Sequence, residues 1–258
     1  IQLIGLKHIN LKQESDKIRQ QFGEKDNTPI STKTLSDNKE LLQSTDFVHL
    51  HNHTQFSVLQ STVAIADLVA AAAKNKMPAV AMTDIGNMMG AFHFVRDVLN
   101  HNKKAEAINN EAIQAGELPQ ETIIKPIVGC EFFVCENHLD KSRKDNGYQI
   151  VLLAKNKKGY HNLAKMSSIA YTDGFYYVPR IDKQIIQKYK DDIICLTGSL
   201  YGEVPNKLLN VGENQAEEAL LWWKNQFNDD LYVEITRHNQ EDENRVNQSL
   251  IALAKKHQ

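Results

Sequence analysis

An α/β fold with largely parallel strands and crossover helices is what this 258-residue sequence predicts, on three observations. Short runs rich in β-branched and aromatic residues alternate with amphipathic helical stretches from Phe47 onward, which is the pattern of repeated strand–helix units. Hydrophobic residues make up 41% and charged residues 24% of the chain, which excludes a disordered or low-complexity architecture. No apolar run approaches the roughly 18 residues of a membrane span, so the cores must be built between elements. Periodicity alone leaves two arrangements open, an α/β barrel and a doubly wound sheet.

Residues 1–46 are polar and poor in core-forming side chains, with Asn27, Thr28, Pro29, Ser31 and Thr32 interrupting short helical patterns at about 11–23 and 36–44. They read as a linker or docked helices, and a domain is expected over 47–258. Strands are predicted at FVHLH (47–51), AVAMT (79–83), PIVGCEFFV (126–134), QIVLLA (149–154), DIICLT (192–197) and LYVEIT (231–236). Helices are predicted between and after them at about 63–76, 87–101, 157–171, 183–189, 214–227 and 240–257. The polar, charged stretch 102–122 reads as a helical excursion, a surface insertion in the second crossover. The last helix carries Val246, Leu250, Ile251 and Leu253 on one face and calls for a further strand, so the fold is expected to be truncated at its C-terminus.

The charge balance, 30 Lys+Arg against 32 Asp+Glu for a formal −2, argues against a basic surface that grips DNA by itself. The three cysteines, Cys130, Cys135 and Cys195, form no CxxC pair, so neither a disulfide framework nor a zinc finger is expected. A reducing, cytoplasmic setting follows. The chain opens at Ile1 with no secretory signal pattern and reads as a piece of a longer polypeptide.

The strongest chemical signal is HLHNH at 49–53, where a strand's period of two places His49, His51 and His53 on one face. Imidazoles at i and i+2 can chelate one divalent metal, and sites of parallel α/β folds gather at the C-terminal ends of strands. The competing reading is three partly exposed histidines. Glu131 is the second signal, because a carboxylate inside the apolar run IVGCEFFV costs several kcal/mol to bury unpartnered and so demands a cation or donors. Asp84 follows the AVAMT strand, either as an added ligand or as a helix cap, and His238 follows LYVEITR. Arg180 in YYVPRID reads as a phosphate contact or as a partner of Asp182. Of the Trp222–Trp223 pair, Trp223 is expected in the core, while Met82, Met88 and Met89 read as core filler.

Taken in order and spacing, FVHLHNHTQFSVL, MPAVAMTDIGNMMGAFHF, KPIVGCEFFV, VLLAKNKKGYHNLAKMSS, GFYYVPRIDK and YVEITRHNQEDE resemble the polymerase and histidinol phosphatase (PHP) domain, in the form found at the front of bacterial DNA polymerase III alpha subunits. The resemblance runs from about residue 47 to the end. It implies a distorted seven-stranded β/α barrel lacking its last strand here. It also implies a divalent-metal site at the barrel mouth, with His51, His53, Glu131 and His238 at retained ligand positions and Asp84 in the family's TD motif. Three ligand positions of the pattern are lost: Gln60 stands for an Asp, Ile85 for the His of TDHGN, and Gln149 for a His. Ile offers no donor atom and a neutral Gln amide is a poor metal ligand.

The resemblance therefore implies either no metal or one residual ion, Zn or Mn, and no catalytic residues in this fragment. It implies a structural scaffold within a polymerase whose Mg-dependent palm lies outside the chain. The implied partners are the downstream polymerase domains, a proofreading exonuclease domain or subunit and, through the parent chain, DNA and the sliding clamp, with no membrane. The alternative it leaves is a metal-dependent phosphoesterase or 3′–5′ proofreading exonuclease at the barrel mouth.

Overall fold

The computed structural model describes Gln2–Leu3 and residues 47–257. The helical patterns at 11–23 and 36–44, and most of the 1–46 linker reading, lie outside the described residues. The elements in chain order are β1 (Gln2–Leu3), α1 (Ile65–Lys74), β2 (Ala79–Met82), α2 (Ala91–Gln114), β3 (Lys125–Cys135), β4 (Tyr148–Ala154), α3 (Lys157–Thr172), β5 (Arg180–Asp182), α4 (Lys183–Tyr189), β6 (Ile193–Leu196), α5 (Glu203–Asn210), α6 (Glu213–Phe227), β7 (Leu231–Val233) and α7 (Glu241–Lys256). The strands form one sheet in the order β1-β7-β6-β4-β3-β2, with β5 also on β3. Its five central strands, β7 to β2, curl into half a β/α barrel.

The sheet is mixed rather than parallel. β2–β3 and β6–β7 are parallel and each is joined through helices, whereas β3–β4 and β4–β6 are antiparallel. The connection from β3 to β4 is a loop, residues 136–147, and only an antiparallel neighbour can be reached without a crossover helix. β3 is long enough to serve two partnerships. Its first half pairs with β2 and its second with β4 and β5.

Between those halves lies Gly129, where a Cβ would sit 2.6 Å from the Leu152 carbonyl oxygen and 2.9 Å from Thr83 Cγ2. Only glycine lets the two neighbouring strands approach this closely.

Three sequence expectations are corrected. FVHLH is not a ladder strand: it runs beside β2, with the Ala81 N–H donating to His49 O at 3.1 Å and the Thr83 N–H to Asn52 O at 2.9 Å. The ladder breaks because the Asn52 N–H goes to the Thr83 hydroxyl and the Asn52 side chain takes the carbonyls of His49 and Ala81. The stretch 102–122 is helical as expected only to Gln114, and there it is no separate insertion but the second half of α2. Ala105, Asn109 and Ala112 are buried along one face, and Asn109 and Asn102 bond the backbone at 120–124 and fold the connection back onto the helix. α5 lies where no element was expected, and its Pro205 falls in the first turn, where no N–H is needed.

The core divides by the strands' period of two. The outward face of the sheet (Cys130, Phe132, Val134, Ile150, Leu152, Leu231, Val233) packs on Leu163, Met166, Trp223, Val246 and Leu250 from the helices. Met82 belongs to a second cluster with α1 and α2, whereas Met89 is exposed and is not core filler. The inward face is filled by Ala81, Val151, Leu153 and Leu196, with Leu50, Ile127, Ile194 and Tyr232 against them. Glu131 lies opposite Val151 on that inward face, and the register carries the row on through Leu196 to Tyr232. One inward step past Tyr232 is Glu234.

Candidate metal centre

The period of two that buries Cys130 and Phe132 outward turns Glu131 into the barrel, where it is 1% exposed. Two histidines meet it from the segment beside β2. His53 Nε2 lies 2.8 Å from Glu131 Oε2, and His51 Nε2 lies 3.5 Å from Glu131 Oε1. The other side of the His51 ring is held by Glu234, whose Oε1 is 2.7 Å from Nδ1. The ligand atoms of His51, His53 and Glu131 all lie within 4.8 Å of one another. Burial disfavours the Glu131 carboxylate, but the imidazoles of His51 and His53 beside it outweigh that and hold its pKa down at about 2. Burial likewise disfavours a charged His51, yet the carboxylates of Glu131 and Glu234 raise its pKa to about 10.

Two buried polar atoms here have no hydrogen-bond partner, His51 Nε2 and Glu234 Oε2. Buried polar atoms are nearly always paired, so unpaired ones mark a place for a ligand or ion. Two imidazole nitrogens and a carboxylate form a donor set suited to one divalent ion such as Zn or Mn. The residues present fit such a group.

The other sequence candidates serve elsewhere. Asp84 is fully buried and its two oxygens accept from the Thr54 N–H, the Thr54 hydroxyl and the Ser57 hydroxyl at 2.6–2.7 Å. It shapes the turn after His53 and caps no helix, since α2 starts at Gly90 without a side-chain cap. His238 does not join the cluster. Its Nδ1 is 2.6 Å from Glu243 Oε1, beside the capping box of α7, and its side chain is largely exposed. His49 packs edge-on to Phe47 and is exposed.

Arg180 is fully buried and spends its donors on the carbonyls of Gly174, Asp145, His138 and Asp140. It fastens the 136–147 loop with most of its donors and is buried away from any phosphate in solvent, while Asp182 pairs with His138 and caps α4. Trp223 is in the core as expected, and the Lys183 ammonium sits 4.4 Å over the half-buried Trp222 ring.

The three positions that the resemblance marks as departures from the family pattern are placed as follows. Ile85 bridges to Glu131 in parallel register, and Gln149 lies two residues from Val151 on the strand opposite Glu131. Gln60 is exposed in the turn that Asp84 organises.

Glu234, Thr54 and Ser57 were not singled out from the sequence. Glu234 carried the same signal as Glu131, a carboxylate in an apolar run, here LYVEI.

The PHP domain model matches residues 49–238, a span that contains the cluster, both strands that carry its carboxylates and the turn held by Asp84. The chain belongs to the PHP domain family. Among curated relatives, the DNA polymerase III subunit alpha of Borreliella burgdorferi is 35% identical over 81% of this chain, and that of Aquifex aeolicus 38% over 83%. The Deinococcus radiodurans protein of the same name is 34% identical over 82%. The chain spans only 15–17% of the length of these relatives. Among the described residues, no helix of this PHP domain is long and apolar enough to cross a membrane.

Proposed function

We propose that this chain is the PHP domain of a replicative DNA polymerase of the III alpha type, and that its barrel mouth holds at most one divalent ion in a structural role. The relatives' shared name and coverage support the first part. The observation that carries the second is the ligand inventory at the mouth: one compact set of His51, His53 and Glu131, with Ile85, Gln149 and Gln60 where further ligands would be needed.

His51, His53 and Glu131 would hold the ion, and a bound cation there would supply Lewis acidity and neutralise the buried carboxylates. What the chain's own residues do is positional. Glu131 and Glu234 anchor His51 from opposite sides, and Asp84 fixes the turn that aims His53. A phosphoesterase or exonuclease of the multinuclear kind needs each ion held in fixed, open geometry by several more donors, and His238 does not supply one.

In this reading DNA synthesis, and contact with DNA and a sliding clamp, belong to the rest of the polymerase. The barrel braces the adjoining polymerase domains and offers a seat for a proofreading exonuclease domain or subunit. The cytoplasm is its compartment, in keeping with three buried free cysteines.

Elemental analysis of the purified chain tests the metal part: zero or one ion per chain is expected, and two or more tightly bound ions would sink it. A second check uses the parent polymerase on a 3′-mismatched primer. The His51→Ala, His53→Ala double substitution is expected to lower thermal stability without changing mismatch removal, and loss of that removal would restore the exonuclease reading.

A further inference from the structure

The carboxylate that holds His51 sits on the far side of the open sheet. His51 rides beside β2 at one end of the five-strand curl and Glu234 follows β7 at the other, 183 residues later, yet Nδ1 and Oε1 are 2.7 Å apart. Glu234 is itself fixed from below, its backbone N–H donating to the Thr197 hydroxyl at 2.9 Å. Its side chain is 9% exposed, and its second oxygen, like His51 Nε2, is buried without a partner. An imidazole that donates Nδ1–H to a carboxylate keeps its proton on that nitrogen, so an incoming ion displaces the proton on Nε2 and takes that atom as ligand, with raised basicity and a fixed ring plane.

We propose that Glu234 is the positioning carboxylate of this site, holding His51 through Nδ1 so that Nε2 faces Glu131 and His53, and thereby latching the β7 side of the curled sheet to the β2 side. This rests on the one-ion reading above for its metal consequence, but the Nδ1 bond exists with or without an ion. Glu234 touches neither His53 nor Glu131 by hydrogen bond among the described contacts, so its effect on the ion runs through His51.

The test has two arms, both on the whole chain. In the first, metal-free protein is titrated with Zn²⁺ against a chromophoric chelator. Glu234→Gln, nearly isosteric, is expected to bind zinc about 10–100-fold more weakly, with Glu234→Asp recovering part of the loss. In the second, the ring N–H protons of the metal-free protein are observed by ¹H–¹⁵N NMR. A downfield Nδ1–H resonance, assigned to His51 by its disappearance in His51→Gln, is expected in the parent chain and not in Glu234→Ala.

Zinc affinity unchanged in Glu234→Gln together with an unmoved resonance in Glu234→Ala would overturn the proposal. If the parent chain takes up no zinc at all, the limit of at most one ion stands with the site metal-free, and the His51 resonance alone decides the role of Glu234. Should Glu234→Ala fail to fold, the resonance is read in Glu234→Gln, where an upfield shift supports the proposal and an unchanged position refutes it.

Discussion

Two of the places where this barrel buries carboxylates treat them in opposite ways. At the junction of α4, α5 and α6, Glu203 accepts from the Lys183 and Lys207 ammonium groups and from Trp223 Nε1, all at 2.9–3.0 Å. Both oxygens are used, by cations that are part of the chain. At the barrel mouth Glu131 and Glu234 share His51 and His53, and two buried atoms stay unpaired. Burial of a carboxylate thus says only that a cation or hydrogen-bond donors are required. Whether the fold supplies that partner permanently or leaves room for one separates a structural knot from a ligand site.

The comparison can be broken first at the knot. Glu203→Ala leaves Trp223 Nε1 and two lysines without their acceptor, and removing one partner of a buried pair costs about 3 kcal/mol. Urea unfolding should show the midpoint falling with an unchanged slope; a loss below about 0.5 kcal/mol would mean the lysines are content in water. At the mouth the signature is conditional. Zinc at a hundredfold excess over its dissociation constant should stabilise the parent chain by about 2.7 kcal/mol and leave the His51→Ala, His53→Ala variant unmoved, a contrast that differential scanning calorimetry with and without chelator reads directly.

A third place extends the knot's logic to a cation. Arg180→Met removes hydrogen bonds to four carbonyls and should cost about 2 kcal/mol, with protease nicking appearing in 136–147 before global unfolding. Intact loop kinetics in that variant would show the fastening lies elsewhere.

The mildest effect is on pH dependence. The Glu203 carboxyl is disfavoured by burial but held below its usual value of 4.5 by Lys207 and Lys183. Because the unfolded chain then binds its proton first, this stability is complete above about pH 4.5 and drains as pH falls through the lower folded value. Glu203→Gln should flatten the stability profile in that acid window while leaving the neutral region parallel to the parent.

Much of this was legible in the sequence. Six helices fall where their periodicity placed them, because an apolar stripe repeating every three to four residues has only one economical conformation. His51, His53 and Glu131 converge as the family resemblance implied. What failed did so for local reasons that a one-dimensional pattern conceals. FVHLH alternates like a strand, but the Thr83 hydroxyl and the Asn52 amide capture the backbone groups a ladder would use. Arg180 among aromatics read as a phosphate contact or a partner of Asp182, but the chain turned four of its own carbonyls toward it. Asp84 had the position of a ligand and was spent on Thr54 and Ser57, one to four residues beyond His53.

By itself the sequence determined the α/β class, the outward and inward faces of the strands and the pairing of histidines with a buried carboxylate. These follow from side-chain period and from the cost of burying charge, both local properties of the chain. Tertiary structure alone decided that β4 runs antiparallel to its neighbours, that His238 stays with α7, and that Glu234 reaches His51 across the curl of the sheet. Those outcomes depend on which strand edges meet in space. A residue 183 positions away announces nothing of that in the sequence until the barrel bends to bring it near.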